Sequence, residues 1–522
     1  MYDVVIVGYG PTGMLAAVKL GKAGHKVAVV ERYRSLYMLP RVGIVHDDVL
    51  RMFQEIGIVE KVKPATHFLP TYEMANNGKI LLSNSVQAKA THGWPEVISI
   101  YQPAFEAELD VVVKSLPGVD LLRGFTATAI QQDSDKVIVT IVNDAGEKQQ
   151  VEARYAIGAD GGNSFVRSAL GLEFEFLGFD QDWLVIDAKM KRSPRPDLPA
   201  LRQFCEPDQP GMTMQMGAHH RRWSFMIFPD EPLEEAMKPE NVWKRLDRPE
   251  GGTSDDFELI RVASYKFTSQ IVDRWRVGRV FLAGDAAHLM PPFLAQGMCS
   301  GFRDTNNLVW KLDVVLKGIA NPSLLDTYET ERAPNARATI VESARVGQNV
   351  IERDHDKARQ RDAQLLAMQA ELEKTRGQKQ LIAFRVPGFA DGVIAEPGEH
   401  VRGAGDAFPQ GVVRRGPVEG RFDDVAGGGF LVVSRGENPD GVVSADDRNF
   451  WASIGGRFVH FGDVAGGEAL TDAEGIYTQL MDEYGCDVLI KRPDYYLFGA
   501  CKTAKDLPAL MGDLRGQIQN RK

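Results

Sequence analysis

The chain has 522 residues, 44% apolar and 25% charged, with 71 acidic against 61 basic side chains and a net charge of −10. That length suits three or four ordinary domains, and the composition excludes disordered or fibrous architecture. The acidic balance gives no general pull toward nucleic-acid phosphates or anionic membranes, the four cysteines at 205, 299, 486 and 501 form neither a disulfide framework nor a zinc motif, and no apolar run or leader pattern reads as a membrane segment. A reducing, cytoplasmic setting is the expectation.

In chain order, 3–7 (DVVIV) is a continuous β-branched run suited to a strand buried on both faces. Gly8-Tyr9-Gly10-Pro11-Thr12-Gly13 follows, and a helix is predicted over 11–23, with Pro11 where a missing N–H costs nothing. Gly24 stops it, and 26–30 (KVAVV) is a second buried strand ending at Glu31. Val49, Leu50, Phe53, Ile56 and Val59 recur at helical spacing and predict a helix over 48–62. Short strands are predicted within 72–100, a helix over 103–116, and a hairpin starting at 137–142 with its turn at Asn143-Asp144-Ala145-Gly146. A small-residue strand at 156–159 then ends at Asp160-Gly161. Alternation at 183–189, 222–228 and 259–265 predicts an antiparallel sheet with one exposed face. Residues 279–283 restore a buried strand, followed by a Gly-rich turn and a long helix. The charged stretch 340–380 reads as a solvated helical connector. Beyond a Gly/Pro-rich stretch, strands at 430–433, 458–464 and 488–491 indicate a separate small α/β domain.

The glycine motif sits between a strand and a helix, and a carboxylate ends the next strand, which is the context of a dinucleotide site. Gly8 makes the tight turn, Gly10 lets the backbone approach a pyrophosphate, and Gly13 lets helix and strand pack closely. The helix N-terminus offers unpaired N–H groups to the diphosphate. Glu31 lies 18 residues past Gly13, placed for a ribose hydroxyl pair. The motif alone does not separate FAD from NAD.

Two later segments do. Tyr155-Ala156-Ile157-Gly158-Ala159-Asp160-Gly161-Gly162 ends a strand on a carboxylate and glycines. Arg279-Val280-Phe281-Leu282-Ala283-Gly284-Asp285 repeats that design, followed by Pro291-Pro292 and Gln296-Gly297-Met298. These three ordered motifs resemble the class A flavoprotein aromatic hydroxylases, the para-hydroxybenzoate hydroxylase superfamily. Within that family the chain resembles the 3-(3-hydroxyphenyl)propionate-hydroxylating branch, through Pro40-Arg41, Gly93-Trp94-Pro95, Gln102-Pro103, Leu259-Ile260-Arg261 and the long segment 279–332.

The resemblance implies an α/β protein: a Rossmann-like FAD-binding domain from 1–71, 101–172 and 271–345, and a substrate sheet domain from 72–100 and 173–270. A helical connector over 346–385 and a thioredoxin-like domain over 386–522 complete it. It implies that Asp285, after Gly284, holds the ribityl chain, that Arg41 neutralises the diphosphate, and that Gln102 is a further FAD contact. Asp160 and Gly161 serve FAD and the passing nicotinamide nucleotide, Arg32 meets an adenine or a ribose, and Pro292 sits beside the reactive C4a edge. The helix opening at Gln296, Gly297 and Met298 faces the pyrimidine edge, its dipole favouring the charge of reduced flavin. The activity implied is hydroxylation of a phenol ortho to its hydroxyl, by FAD, O2 and NADH or NADPH, through a C4a-hydroperoxide. The substrate is 3-(3-hydroxyphenyl)propionate or a related phenol. Gln203, Cys205, Met214, Met216 and Trp223 are candidate substrate contacts. His46 has two readings, a group that assists phenol deprotonation and a helix cap. The nucleotide preference stays open, as does the oligomeric state, with a homodimer among the options. An epoxidising, Baeyer–Villiger or polycyclic tailoring oxygenase is the alternative activity, and a dinucleotide-binding sensor without turnover is the non-enzymatic one.

Overall fold

The computed structural model describes residues 1–374, 385–396, 402–436, 438–462 and 469–520. Its β-branched runs form the centre of a parallel sheet. Tyr2–Val7 lies between Val27–Glu31 and Lys148–Gly158, flanked by Val119–Arg123 and Val280–Leu282. Both faces are covered, so the strands are apolar without alternation, and Val4, Val5, Ile6, Val27, Ala28 and Val29 have no exposed surface. Lys148–Gly158 is one long strand: its first half pairs antiparallel with Val137–Asn143, its second half parallel with Tyr2–Val7. The helix Pro11–Lys22 springs from the first strand, and Gln102–Ser115 packs beside it.

The helix predicted over 48–62 is two helices, Asp47–Ile56 and Val59–Val62, because Gly57 takes a left-handed φ of 84° and caps the first. The strands within 72–100 also divide. Thr71–Asn76 and Lys79–Ser85 join the large antiparallel sheet, whereas Val97–Ile100 pairs with Ile44–His46 and Thr66–Phe68 in a small separate one.

The antiparallel sheet has eight strands, ordered His288–Leu289, Phe257–Val272, Phe174–Met190, His220–Met226, Gly211–Met216, Leu201–Phe204, Thr71–Asn76 and Lys79–Ser85, with Leu201–Phe204 and Thr71–Asn76 its one parallel pair. The prediction of one exposed face is corrected here. All six residues of Gly211–Met216 are buried. One face carries a core of Leu184, Ile186, Trp223 and Phe225 roofed by Val242 and Leu246, and the other lines a cavity closed by residues 41–46, the 285–298 segment and helix residues between 345 and 368.

The charged connector is corrected in part. Helix His355–Lys374 is mostly exposed, as expected, but one side of it lies along Lys79–Ser85 and is bolted to the sheet by polar contacts. Asn76 donates to Asp362 (2.7 Å), the Ser83 N–H donates to Gln369 (2.8 Å), and Arg361 donates to the Cys205 carbonyl (2.6 Å). Residues 375–384 of the predicted connector lie outside the described residues.

In the C-terminal part the strand order is Arg457–Phe461, Leu431–Arg435, Val488–Lys491, Leu497–Cys501, with the first pair parallel and the others antiparallel. Helices Ala445–Ser453, Ile476–Tyr484 and Leu507–Gln519 interleave, which is the thioredoxin-like arrangement. Residues 463 and 464 of the strand predicted at 458–464 lie outside the described residues. Two buried ionic locks join this part to the rest. Arg51 grips Asp423 with two bonds (2.6 and 2.9 Å), and Arg492 grips Glu331 (2.7 and 2.9 Å) beside Asp494 and Lys311. Stripping one partner from such a buried pair costs about 3–5 kcal/mol, because a charge is left unpaired out of water.

Candidate active site

At the ends of the parallel strands lies a cleft of about 470 Å³, lined by the glycine turn, the end of the second strand, the Asp160 loop and the Asp285 turn. Gly8 has a φ of +104°, and a Cβ there would lie 2.4 Å from the Ala159 carbonyl. A Cβ on Gly13 would lie 2.2 Å from the Gly8 carbonyl, so the helix packs on the turn as closely as backbone allows. Gly10 and Gly161 differ: nothing lies within 4 Å of a Cβ at either, and both border the open cleft. Glu31 is preset, one carboxylate oxygen accepting from the Tyr9 N–H and the other from the Tyr33 N–H, each at 2.8 Å. Asp160 accepts from Ser164 (2.5 Å) and the Val166 N–H (3.1 Å), and Ser164 caps the short helix Phe165–Ala169. Pro11, Thr12 and Arg32 also line the cleft. Gly13 and Gly284 lie behind it, the latter tight against the Thr12 hydroxyl.

A second cavity, about 480 Å³, opens between this cleft and the antiparallel sheet. Arg41, Val42, Asp285 and Met298 line both, and mark where they join. The loop that presents Arg41 is held from two sides. Gln102 accepts from the Arg41 and Val42 N–H groups (2.9 and 2.7 Å), while Arg222 donates to the Pro40 and Arg41 carbonyls and Arg261 to Pro40. Asp304, inside the long helix Gly297–Leu316, holds the Asp285 turn by accepting from the Gly284 N–H, His288 and Arg332. Asp285 itself opens onto both cavities, and its carboxylate has no hydrogen-bond partner among the described residues. The surrounding protein desolvates it and raises its pKa. The helix Gly297–Leu316 begins at the junction, with Gly297 and Met298 in the wall. An open glycine cradle, a preset ribose carboxylate, an arginine, an unpartnered carboxylate and a helix N-terminus together fit FAD.

The first 343 residues match the family model described as the FAD binding domain, and residues 405–517 match the HcaD C-terminal domain. The chain belongs to the FAD-binding flavoprotein hydroxylases. It is 40% identical to a probable NADH-specific resorcinol 4-hydroxylase of Rhodococcus jostii (strain RHA1), covering 98% of this chain and 94% of that one. It is 33% identical to a 3-(3-hydroxy-phenyl)propionate/3-hydroxycinnamic acid hydroxylase of Mycobacterium sp. (strain JLS), covering 96% and 89%. The crystal structure of the flavin-dependent monooxygenase PieE in complex with FAD and substrate superposes with a TM-score of 0.82 over 99% of both chains, at 22% identity. The protein is therefore an FAD-dependent aromatic monooxygenase.

The register of the hydroxylase's antiparallel sheet decides which side chains reach the cavity. Leu82, Met74, Gln203, Met212, Ser224 and Val185 stand opposite one another on six adjacent strands, and all six line the cavity. Met214 lies on the same face, one row over. Trp223 does not: alternation turns it to the far face, where its indole N–H donates to the Glu250 carbonyl (2.9 Å). Met216 shares the cavity face but is sealed beneath Gly43, and Cys205 packs in the core behind the wall. Gln296 is also corrected, because its side chain turns inward to accept from Arg303 (2.7 Å).

His46 lines the cavity at the junction end, and Pro292 and Gly297 stand nearby in the same wall. Burial lowers its pKa to about 4, below the range in which a histidine changes charge near neutral pH. It is the N-terminal flanking residue of helix Asp47–Ile56 but makes no side-chain cap, and its Nε2 instead meets the Leu294 carbonyl (3.1 Å). That contact requires an Nε2–H, so Nδ1 is an acceptor.

The sequence reading missed Tyr72, Met74, Met212, Tyr265 and Phe267, and the connector residues Asn349, Leu365 and Met368. Two signals existed. The Met-x-Met-x-Met alternation at 212–216 put Met212 beside Met214, and Leu365 and Met368 form an apolar step inside an otherwise charged helix.

Proposed function

We propose that this hydroxylase acts on a small, uncharged dihydroxybenzene of the resorcinol type, with NADH as reductant. The observation that carries the reading is the charge balance of the cavity. Its basic side chains already have partners: Arg222 pairs with Asp187 (2.6 Å), Arg345 with Glu342 (2.6 Å), and Arg41 with Glu106 beside the dinucleotide cleft. Glu96 adds an acidic group to the same wall. A carboxylated side chain would lose its hydration there without gaining a cation. The relative at 40% identity carries resorcinol and NADH in its name, and the propionate-type relatives are more distant.

In this reading Glu31 takes the adenosine ribose, Gly10 and Arg41 border the diphosphate, and Asp285 takes the ribityl hydroxyls. FAD supplies hydride acceptance from NADH and activation of O2. Overall one oxygen atom enters the ring ortho to a hydroxyl, the other leaves as water, and NADH provides the two electrons. His46 Nδ1 accepts the hydrogen bond of the reacting hydroxyl and raises its nucleophilicity without itself charging near neutral pH. Met74, Met212, Met214, Phe267, Leu365 and Met368 exclude water around the ring. The last two narrow the far end and disfavour a polycyclic substrate.

NADH oxidation by the purified yellow protein, with resorcinol, phenol or 3-(3-hydroxyphenyl)propionate, tests this. Resorcinol should stimulate oxidation most and yield a trihydroxybenzene, with NADPH a poor substitute. Stimulation by the propionate alone would sink the reading. Asp285→Ala should weaken FAD binding by about tenfold or more, the worth of a hydrogen bond to a charged group, and leave the fold intact.

A further inference from the structure

Gln203 is 2% exposed, yet its carboxamide makes no hydrogen bond among the described residues, and its Oε1 is buried without a partner. It sits in the middle of the six-strand row, between Met74 and Met212, and lines the cavity. A buried, unpaired amide costs about 1–3 kcal/mol, so a chain that places one among methionines loses stability unless something else pairs with it. Every neighbour in the row except Ser224 is apolar, and none supplies a donor to Oε1. The cavity side is left.

We propose that Gln203 is the specificity residue of the site: its carboxamide accepts the hydrogen bond of the second, non-reacting hydroxyl of a 1,3-dihydroxybenzene. This inference rests on the resorcinol-type reading above. The chemistry favours a hydroxyl over other substituents. A hydroxyl donates to Oε1 and accepts from Nε2, whereas a carboxylate has no donor for Oε1, and hydrogen or methyl leaves both atoms unpaired. With His46 at the junction end and Gln203 in the sheet, a ring with two hydroxyls is held at two points. The carbon ortho to the hydroxyl at His46 is then turned toward the wall formed by Pro292, Gly297 and Met298.

The test compares kcat/KM for resorcinol and phenol in the wild-type holoenzyme, Gln203→Met and Gln203→Glu. Methionine matches the neighbours in size and removes the acceptor, while glutamate keeps it. The wild type should prefer resorcinol by at least about tenfold. In Gln203→Met the preference should collapse through KM, with FAD content and the substrate-free melting temperature unchanged or raised, because an unpaired buried amide has been removed. A purely structural glutamine would lower that melting temperature instead. Gln203→Glu should retain the preference. A Gln203→Met protein that still discriminates as the wild type does overturns the assignment and leaves the functional reading standing. A wild type that ignores resorcinol and hydroxylates only the propionate overturns the functional reading itself.

Discussion

The two cavities that meet at Asp285 are of similar volume and differently made. The dinucleotide cleft is organised around turns, strand ends and one helix start, each a short stretch of sequence, with side chains such as Glu31, Arg41 and Gln102 closing it. The second cavity is built from side chains on nine strands, two loops and three helices that are far apart in the chain. A backbone cradle depends on glycines whose positions cannot drift, so it is written as motifs. A side-chain wall depends on register, which any pair of apolar residues can satisfy locally and only the assembled sheet selects.

The glycine turn offers the sharpest way to break this contrast. Gly13→Ala puts a methyl 2.2 Å from the Gly8 carbonyl, and should cost about 3 kcal/mol or more of stability, read as a lower denaturation midpoint. Gly10→Ala meets no protein atom within 4 Å, and Gly10 already has a φ of −78°, so the apoprotein should melt normally while FAD binding is lost. Equal melting of the two variants would show that both glycines serve only the ligand.

His46→Gln comes next, with an expected fall in kcat of about a hundredfold at unchanged FAD content. Its pKa in the fold, about 4, lies below the ordinary 6.5, so the unfolded chain binds the extra proton between those values. His46 therefore costs stability as pH falls from 6.5 to 4. Asp47 works in the opposite direction, since burial and Asp48 raise its pKa to about 7 and the fold holds that proton first. Chemical denaturation at pH 7 and pH 5 should show a smaller acid loss in His46→Gln than in the wild type; an identical pH slope would remove His46 from the account.

In the connector, Leu365→Ala with Met368→Ala should raise KM by about tenfold and increase NADH consumption without product, because apolar wall is replaced by water. Unchanged coupling would return the helix to the role of spacer. The smallest effect is expected for Trp223→Phe: no change in KM, and a stability loss of about 1 kcal/mol for the hydrogen bond to Glu250. A change in substrate preference there would contradict the register.

The parallel strands, the three glycine–carboxylate motifs and the family were legible because each rests on local chemistry: buried β-branched runs, turns only glycine can make, and carboxylates at strand ends. Gln203 and Met214 were reachable as members of a strand, but the sequence could not tell their face from that of Trp223, and the charge of helix His355–Lys374 hid the two residues it gives to the cavity. Nor could it set the pKa of His46, which follows from burial by segments distant in the chain. The sequence alone determined where the glycine turn and its strand-end carboxylates lie, since a close backbone approach leaves no choice of residue. Tertiary structure alone decided the shape and polarity of the substrate wall, since the side chains that meet there do so only after the sheet has fixed its register.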